Sequence, residues 1–212
     1  IASFLVTGSI AWMYYADRLV EFPMGVFSIA LATVILPGLS SHHAAESRAE
    51  FSATLDWALR LTLVVVTPAA VGLLMLSGPL TATIFGYGEF GARDVQMSAY
   101  ALMAYSLGLV GFSLVKVLAP GYFARQDTKT PVKVGIVALG TNMGFNLAVV
   151  VPAHFAGFVA PHALLALSTG LSACLNSFLL YFGLLVGGIA AILGARAFDS
   201  VPAFTSFSAP IV

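Results

Sequence analysis

Charge is what this sequence has least of. Only 8% of its 212 residues are Asp, Glu, Lys or Arg, while 59% are hydrophobic, and the mean hydropathy is +0.98. A soluble domain carries about 25% charged residues. With so few, too little polar surface remains to cover the outside of a water-soluble fold, and a bilayer is the natural solvent. Lys plus Arg and Asp plus Glu number nine each, so no basic surplus points to nucleic acid. The one cysteine, Cys174, lies in an apolar run and excludes a disulfide framework within the chain; it reads as a small buried residue. The chain opens at Ile1, without Met or a basic n-region. It does not read as a signal peptide, and is expected to be a fragment cut inside an apolar segment.

What is present is a series of apolar runs near the roughly 20 residues that a spanning helix needs. Spans are expected near residues 1–6 (the tail of one helix), 10–37, 55–76, 94–118, 131–151 and 162–185. Together they make an all-α polytopic transmembrane helix bundle occupying residues 1–185. Pro37-Gly38, Ser77-Gly78-Pro79 and Pro120-Gly121 read as stops. Thr130-Pro131 reads as an N-cap followed by Pro at the first helical position. Ser47-Arg48-Ala49-Glu50 has capping-box spacing and predicts a short lead-in helix. Residues 79–90 are expected at the interface. Residues 186–195 continue the last span or start a short piece, and 186–212 is a tail that turns Ser/Pro/Phe-rich.

Positive charge sets orientation. The connection 38–54 carries Arg48, with Arg60 just beyond, and the connection 119–130 carries Arg125 and Lys129, with Lys116 just before it and Lys133 just after. These connections are expected on the cytoplasmic side. Residues 77–93 and 152–161 are expected outside, and the alternation is consistent with the span count.

The run Trp12-Met13-Tyr14-Tyr15-Ala16-Asp17-Arg18-Leu19-Val20-Glu21-Phe22-Pro23 places three ionisable residues inside a span. A central Arg or Asp costs about 2.5–3.5 kcal/mol on insertion scales. Such groups must face protein or a wet cavity. Tyr14, Arg18 and Glu21 share one helix face. Asp17 and Glu21, four apart, would repel unless Arg18 lies between them. One reading is a structural ion pair between helices. The other is a cavity site for an anionic substrate, since the guanidinium fork suits phosphate oxygens. Asp17 and Glu21 would then orient Arg18. Pro23 permits bending beside the cluster.

The basic residues Lys116, Arg125, Lys129 and Lys133 read either as topology determinants or as contacts for anionic headgroups or a diphosphate at an inner gate. His42-His43 has no further Cys or His at ligand spacing, so no metal site is expected. His154 and His162 are expected in loops. Asn142 and Asn146 share a face beside Gly140-xxx-Gly144 and predict helix–helix contact with polar glue. No nucleophile elbow or zinc-protease pattern occurs, so no catalytic residue and no cofactor is expected.

Two blocks carry a family resemblance: WMYYADRLVEFPMGVFSIALATVILP from Trp12 to Pro37, and KVLAPGYFARQDTKTPVK from Lys116 to Lys133. Asp56–Leu61, Ser77–Leu80 and Gly170–Asn176 fit in order around them. On these residues the chain resembles the MviN/MurJ family of lipid II flippases over about residues 1–185. The resemblance implies the second lobe of an exporter-type fold in the bacterial inner membrane. It implies export, by alternating access, of the undecaprenyl-diphosphate-linked peptidoglycan precursor, with the N-terminal lobe of the same protein as partner. It also implies that Arg18 is a cavity arginine, with Asp17 and Glu21 as its neighbouring acids. Beyond about residue 185 the sequence leaves the family pattern. The rival expectations are an exporter of another polysaccharide lipid or a drug, and a membrane scaffold lobe without transport.

Overall fold

A computed structural model of the chain describes residues 5, 7–45 and 47–199, the side chains of Arg48 and of residues 187–199 excepted. Every regular element among them is helical: α1 (Ser9–Pro23), a π-turn (Met24–Ile29), α2 (Ala30–Ala44), α3 (Arg48–Met75), α4 (Ser77–Phe85), α5 (Ala92–Ala124), α6 (Lys129–Phe145), a second π-turn (Asn146–Val150), α7 (Val151–Phe155) and α8 (Pro161–Asp199). Five continuous helices are long and apolar enough to cross a membrane: Ser9–Ala44, Ala49–Met75, Ala92–Ala124, Lys129–Phe155 and Pro161–Val186. The chain is thus an all-α, multi-pass bundle.

Helix α5 is the hub. It packs most extensively against α8 and also contacts α1, α2, α3 and α4. Small residues on α5 allow this. A Cβ built at Gly108 would stand 2.3 Å from the Cα of Gly170, and one at Gly111 would stand 2.6 Å from the backbone nitrogen of Cys174. In lipid no hydrophobic force drives helices together, so close backbone approach is what stabilises their contact.

The core divides by depth. At the end expected to be cytoplasmic, Leu39, Leu55, Val117, Leu118, Tyr122 and Leu180 cluster. Farther along, Ala16, Val20, Val66, Leu102, Leu109 and Ala166 form a middle cluster. At the opposite end Trp12, Met97 and Ala160 pack together, against Ala163.

Several element ends differ from the sequence expectation. The first span passes through Pro37 to Ala44, because Ile35 and Leu39 are buried on either side of the proline and hold the helix together. The lead-in at 47–50 and the span at 55–76 are one helix. Ser47 makes no side-chain cap, and Glu50 instead meets His42 Nδ1 at 3.0 Å. Helix α5 runs past Pro120-Gly121 because both are buried in the α5–α8 contact, where Tyr122 Oη donates to the Leu180 carbonyl at 2.7 Å. Its end comes at Gln126, with φ 58°. The cap of α6 is Asp127 rather than Thr130. Asp127 Oδ1 accepts from the backbone N–H of Lys129 (3.1 Å) and of Thr130 (3.0 Å), and Oδ2 accepts from Thr130 Oγ1 (2.6 Å). The fourth span extends to Phe155 through the second π-turn, and α8 continues to Asp199 without a break at 185. The expectation for residues 1–6 falls, Leu5 apart, outside the described residues, as does that for 200–212.

Both histidines expected in loops are helical. His154 lies in α7, and His162 in the first turn of α8. His162 is fully buried, its ring 5.0 Å from that of Trp12, and its Nε2 lies 3.0 Å from the Met97 carbonyl. A carbonyl can only accept, so Nε2 carries the proton.

Around the same cluster, Asp94 joins α1 to α5. Trp12 Nε1 donates to Asp94 Oδ1 at 2.7 Å, and the Gly91 N–H donates to Oδ2 at 3.0 Å. Asp94→Ala would strip the α5 cap and leave a buried indole N–H unpaired. The expected loss is about 1–3 kcal/mol in thermal unfolding, and Asp94→Asn should recover only part of it, because its single amide oxygen can accept from one of the two donors while its NH2 faces the other.

Candidate functional site

Helix α1 has two faces. Ser9, Trp12, Ala16, Val20 and Pro23 are buried against the bundle. Tyr14, Asp17, Arg18, Glu21 and Phe22 lie on the other side and are exposed. Ionisable groups thus project from a helix long and apolar enough to cross a membrane. Arg18 Nη1 meets Glu21 Oε2 at 2.6 Å, and the guanidinium carbon sits 4.8 Å from the Tyr14 ring centroid. The pair is not sealed: side-chain exposure is 53% for Arg18 and 45% for Glu21. The pair lies within one helix, and among the described residues no ion pair joins Arg18 to a second helix.

Asp17 is adjacent but makes no ion pair among the described residues, so Arg18 does not sit between two carboxylates as the spacing suggested. Beyond the charges, Tyr15 packs on Phe85 and Phe90 (ring centroids 4.8 and 5.0 Å), which fixes the outer half of α1 against α4 and the turn after it.

After Pro23 the helix widens into the π-turn. Proline donates no hydrogen bond, and π-turns recur where a helix is interrupted at functional sites. Between this turn and α3 lies an apolar groove of about 330 Å³. Sequence reasoning located Pro23 but had no signal for the widened turn or the groove.

At the basic end, Lys116, Lys129 and Lys133 are exposed and make no ion pair among the described residues. Arg125 stacks over the Phe51 ring at 4.9 Å. The structure does not gather these four around Arg18. They lie at the far end of α5 and the start of α6. Lys129 and Lys133 oppose the positive end of the α6 macrodipole, and Asp127 offsets them.

Hydrogen bonds from the Thr130 hydroxyl and then the Thr130 and Lys129 N–H groups, with Lys133 nearby, hold Asp127 below the usual carboxylate range. A depressed folded value stabilises above the unfolded value of about 3.9 and is lost as pH falls through the lower folded one. The parent's melting temperature is therefore expected to fall below about pH 4, and Asp127→Ala to flatten that fall; equal acid slopes in the two proteins would contradict the cap.

The intramembrane asparagines meet α8. Asn146 Nδ2 donates to Asn142 Oδ1 at 2.9 Å, and Ser168 Oγ donates to Asn146 Oδ1 at 2.5 Å. The predicted polar contact is there. Gly140 and Gly144, however, have nothing within 4 Å of a built Cβ. The close-approach glycines are Gly108, Gly111 and Gly170, and sequence reasoning missed them.

The family model "Lipid II flippase MurJ" matches residues 1–193. The "Probable lipid II flippase MurJ" of Haemophilus influenzae is 49% identical over 190 residues, covering 87% of this chain and 36% of that protein. The "Lipid II flippase MurJ" of Burkholderia cenocepacia is 48% identical over 189 residues, covering 89% of this chain and 35% of that one. A solved structure of "Lipid II flippase MurJ, inward closed conformation" superposes with a TM-score of 0.74 at 28% identity, over 86% of this chain and 37% of that one. The chain thus spans about a third of the length of the relatives it matches. By the family model and by identity near one half, this chain belongs to the MurJ lipid II flippase family.

Proposed function

We propose that this chain forms the second lobe of a transporter that flips the undecaprenyl-diphosphate-linked peptidoglycan precursor across the bacterial inner membrane. The observation that carries the reading is Arg18: a guanidinium at membrane depth, half exposed, on the face of α1 turned away from its own bundle. A cation there would cost several kcal/mol against hydrocarbon. A water-filled chamber shared with an N-terminal lobe of the same protein removes that cost, and a diphosphate supplies the counter-charge.

Arg18 is the proposed substrate-binding residue. Glu21 orients it through the 2.6 Å contact, and Asp17 adds negative potential that the substrate-free site requires. Lys116, Arg125, Lys129 and Lys133 are proposed to contact anionic headgroups at the inner opening. Transport proceeds by rocking of the two lobes. The π-turn beside Pro23 gives the first span a place to bend.

The test is complementation by the full-length protein of a strain depleted of its lipid II export, followed by transport in proteoliposomes. Precursor appearing on the far leaflet supports the reading. Normal membrane insertion with no precursor movement would overturn it.

A further inference from the structure

Tyr14 stands one helical turn outward of Arg18 and is 53% exposed. It adds little to the packing of α1, whose buried residues are Ser9, Trp12, Ala16, Val20 and Pro23. Its ring instead meets the Arg18 guanidinium, whose carbon lies 4.8 Å from the ring centroid. From the inward side Glu21 Oε2 meets Nη1 at 2.6 Å. The guanidinium is thus held between an aromatic face one turn above it and a carboxylate one turn below. The two restraints differ in what they use. Glu21 accepts from one of the five N–H donors. The ring attracts the cation through its negative face and takes no donor. A free Arg side chain has many rotamers, and binding a ligand must freeze them. A guanidinium already held on two sides has fewer to lose, and it keeps the rest of its fork for an anion.

Tyr14 is itself steadied. Its ring meets that of Tyr15 edge to face, with centroids 5.9 Å apart and planes at 74°. Tyr15 in turn packs on Phe85 and Phe90. Helix α4 and the turn after it therefore support the place of Arg18 through successive aromatic contacts. We infer that Tyr14 is a positioning residue, whose ring face holds the Arg18 guanidinium in the orientation that receives a phosphate group. This rests on the proposed role of Arg18 and names a residue that acts through it. A cation over an aromatic face at an exposed site changes an equilibrium constant by about two- to fivefold. Leu has no such face and should lose that factor, whereas Phe has the same face and should keep it.

The experiment measures binding of soluble geranyl diphosphate to the full-length protein in nanodiscs. The parent is compared with Tyr14→Phe, Tyr14→Leu, Arg18→Ala and the double variant Tyr14→Leu with Arg18→Ala. Tyr14→Leu should weaken binding about two- to fivefold and Tyr14→Phe by less than about twofold. Both should melt with the parent, because the ring packs outside the core. In the Arg18→Ala background, Tyr14→Leu should weaken the residual binding no further, which a merely structural role would not produce. Parent affinity in Tyr14→Leu, equal losses in Tyr14→Leu and Tyr14→Phe, or a Tyr14→Leu effect that persists without Arg18 would overturn the positioning role and leave the phosphate site at Arg18 standing. Binding indifferent to Arg18→Ala would remove that site and the positioning role together.

Discussion

Arg18→Ala in the full-length protein is expected to lower precursor transport by about a hundredfold or more with little change in folding. The two effects separate because the interactions differ in strength. In the free lobe Arg18 makes a half-exposed contact with Glu21 and lies over the Tyr14 ring, both within its own helix. A helical pair of this kind contributes about 0.3–0.5 kcal/mol. Two charge-assisted hydrogen bonds to a diphosphate would contribute about 1.5–3 kcal/mol each, and losing both is at least a hundredfold. Arg18→Lys is expected to fail as well, since a point charge cannot reproduce the fork. Transport at the parent rate by well-inserted Arg18→Ala protein would remove the assigned role.

Gly108→Leu is expected to produce the largest loss of stability among single substitutions in the lobe. The obstacle at Gly108 is backbone: a Cβ would fall 2.3 Å from the Gly170 Cα, with the Gly170 carbonyl carbon at 3.1 Å. Rotamer changes cannot relieve such a clash, and α5 and α8 must separate. Overpacking typically costs about 1–3 kcal/mol, and with backbone on the far side the cost should reach about 3 kcal/mol or more. Gly140→Leu is the control, because its Cβ meets open space. Thermal unfolding in detergent should place Gly108→Leu far below the parent and Gly140→Leu close to it. The reverse order would show that α5–α8 packing does not organise the lobe.

The architecture was legible in composition. Apolar runs of spanning length, with charges alternating between connections, predict a helix bundle whatever its packing. Proline and glycine were less informative. Pro37, Pro68 and Pro120 all lie inside helices, because tertiary packing holds a helix across a missing hydrogen bond. Caps were mis-set by similarity of chemistry: Asp127 outcompetes Thr130, since a carboxylate accepts three donors at once. The motif Gly140-xxx-Gly144 has the spacing of a helix contact but faces outward, while Gly108 and Gly170, which do touch, lie on different helices and show no local pattern. Arg18 was the clearest signal, because the cost of a charge in hydrocarbon marks it from sequence alone. That Glu21 and not Asp17 partners it depends on rotamers, which periodicity does not encode.

The account rests on the exposed face of α1 meeting water rather than lipid. Its most direct test is thiol accessibility in the full-length protein carrying Phe22→Cys, on the same exposed face and with Arg18 intact, in an otherwise cysteine-free background. A membrane-impermeant, charged thiol reagent should label position 22 rapidly, and polyprenyl diphosphate should protect it. Labelling only by an apolar maleimide, with no protection by the diphosphate lipid, would place this face in hydrocarbon and contradict the account.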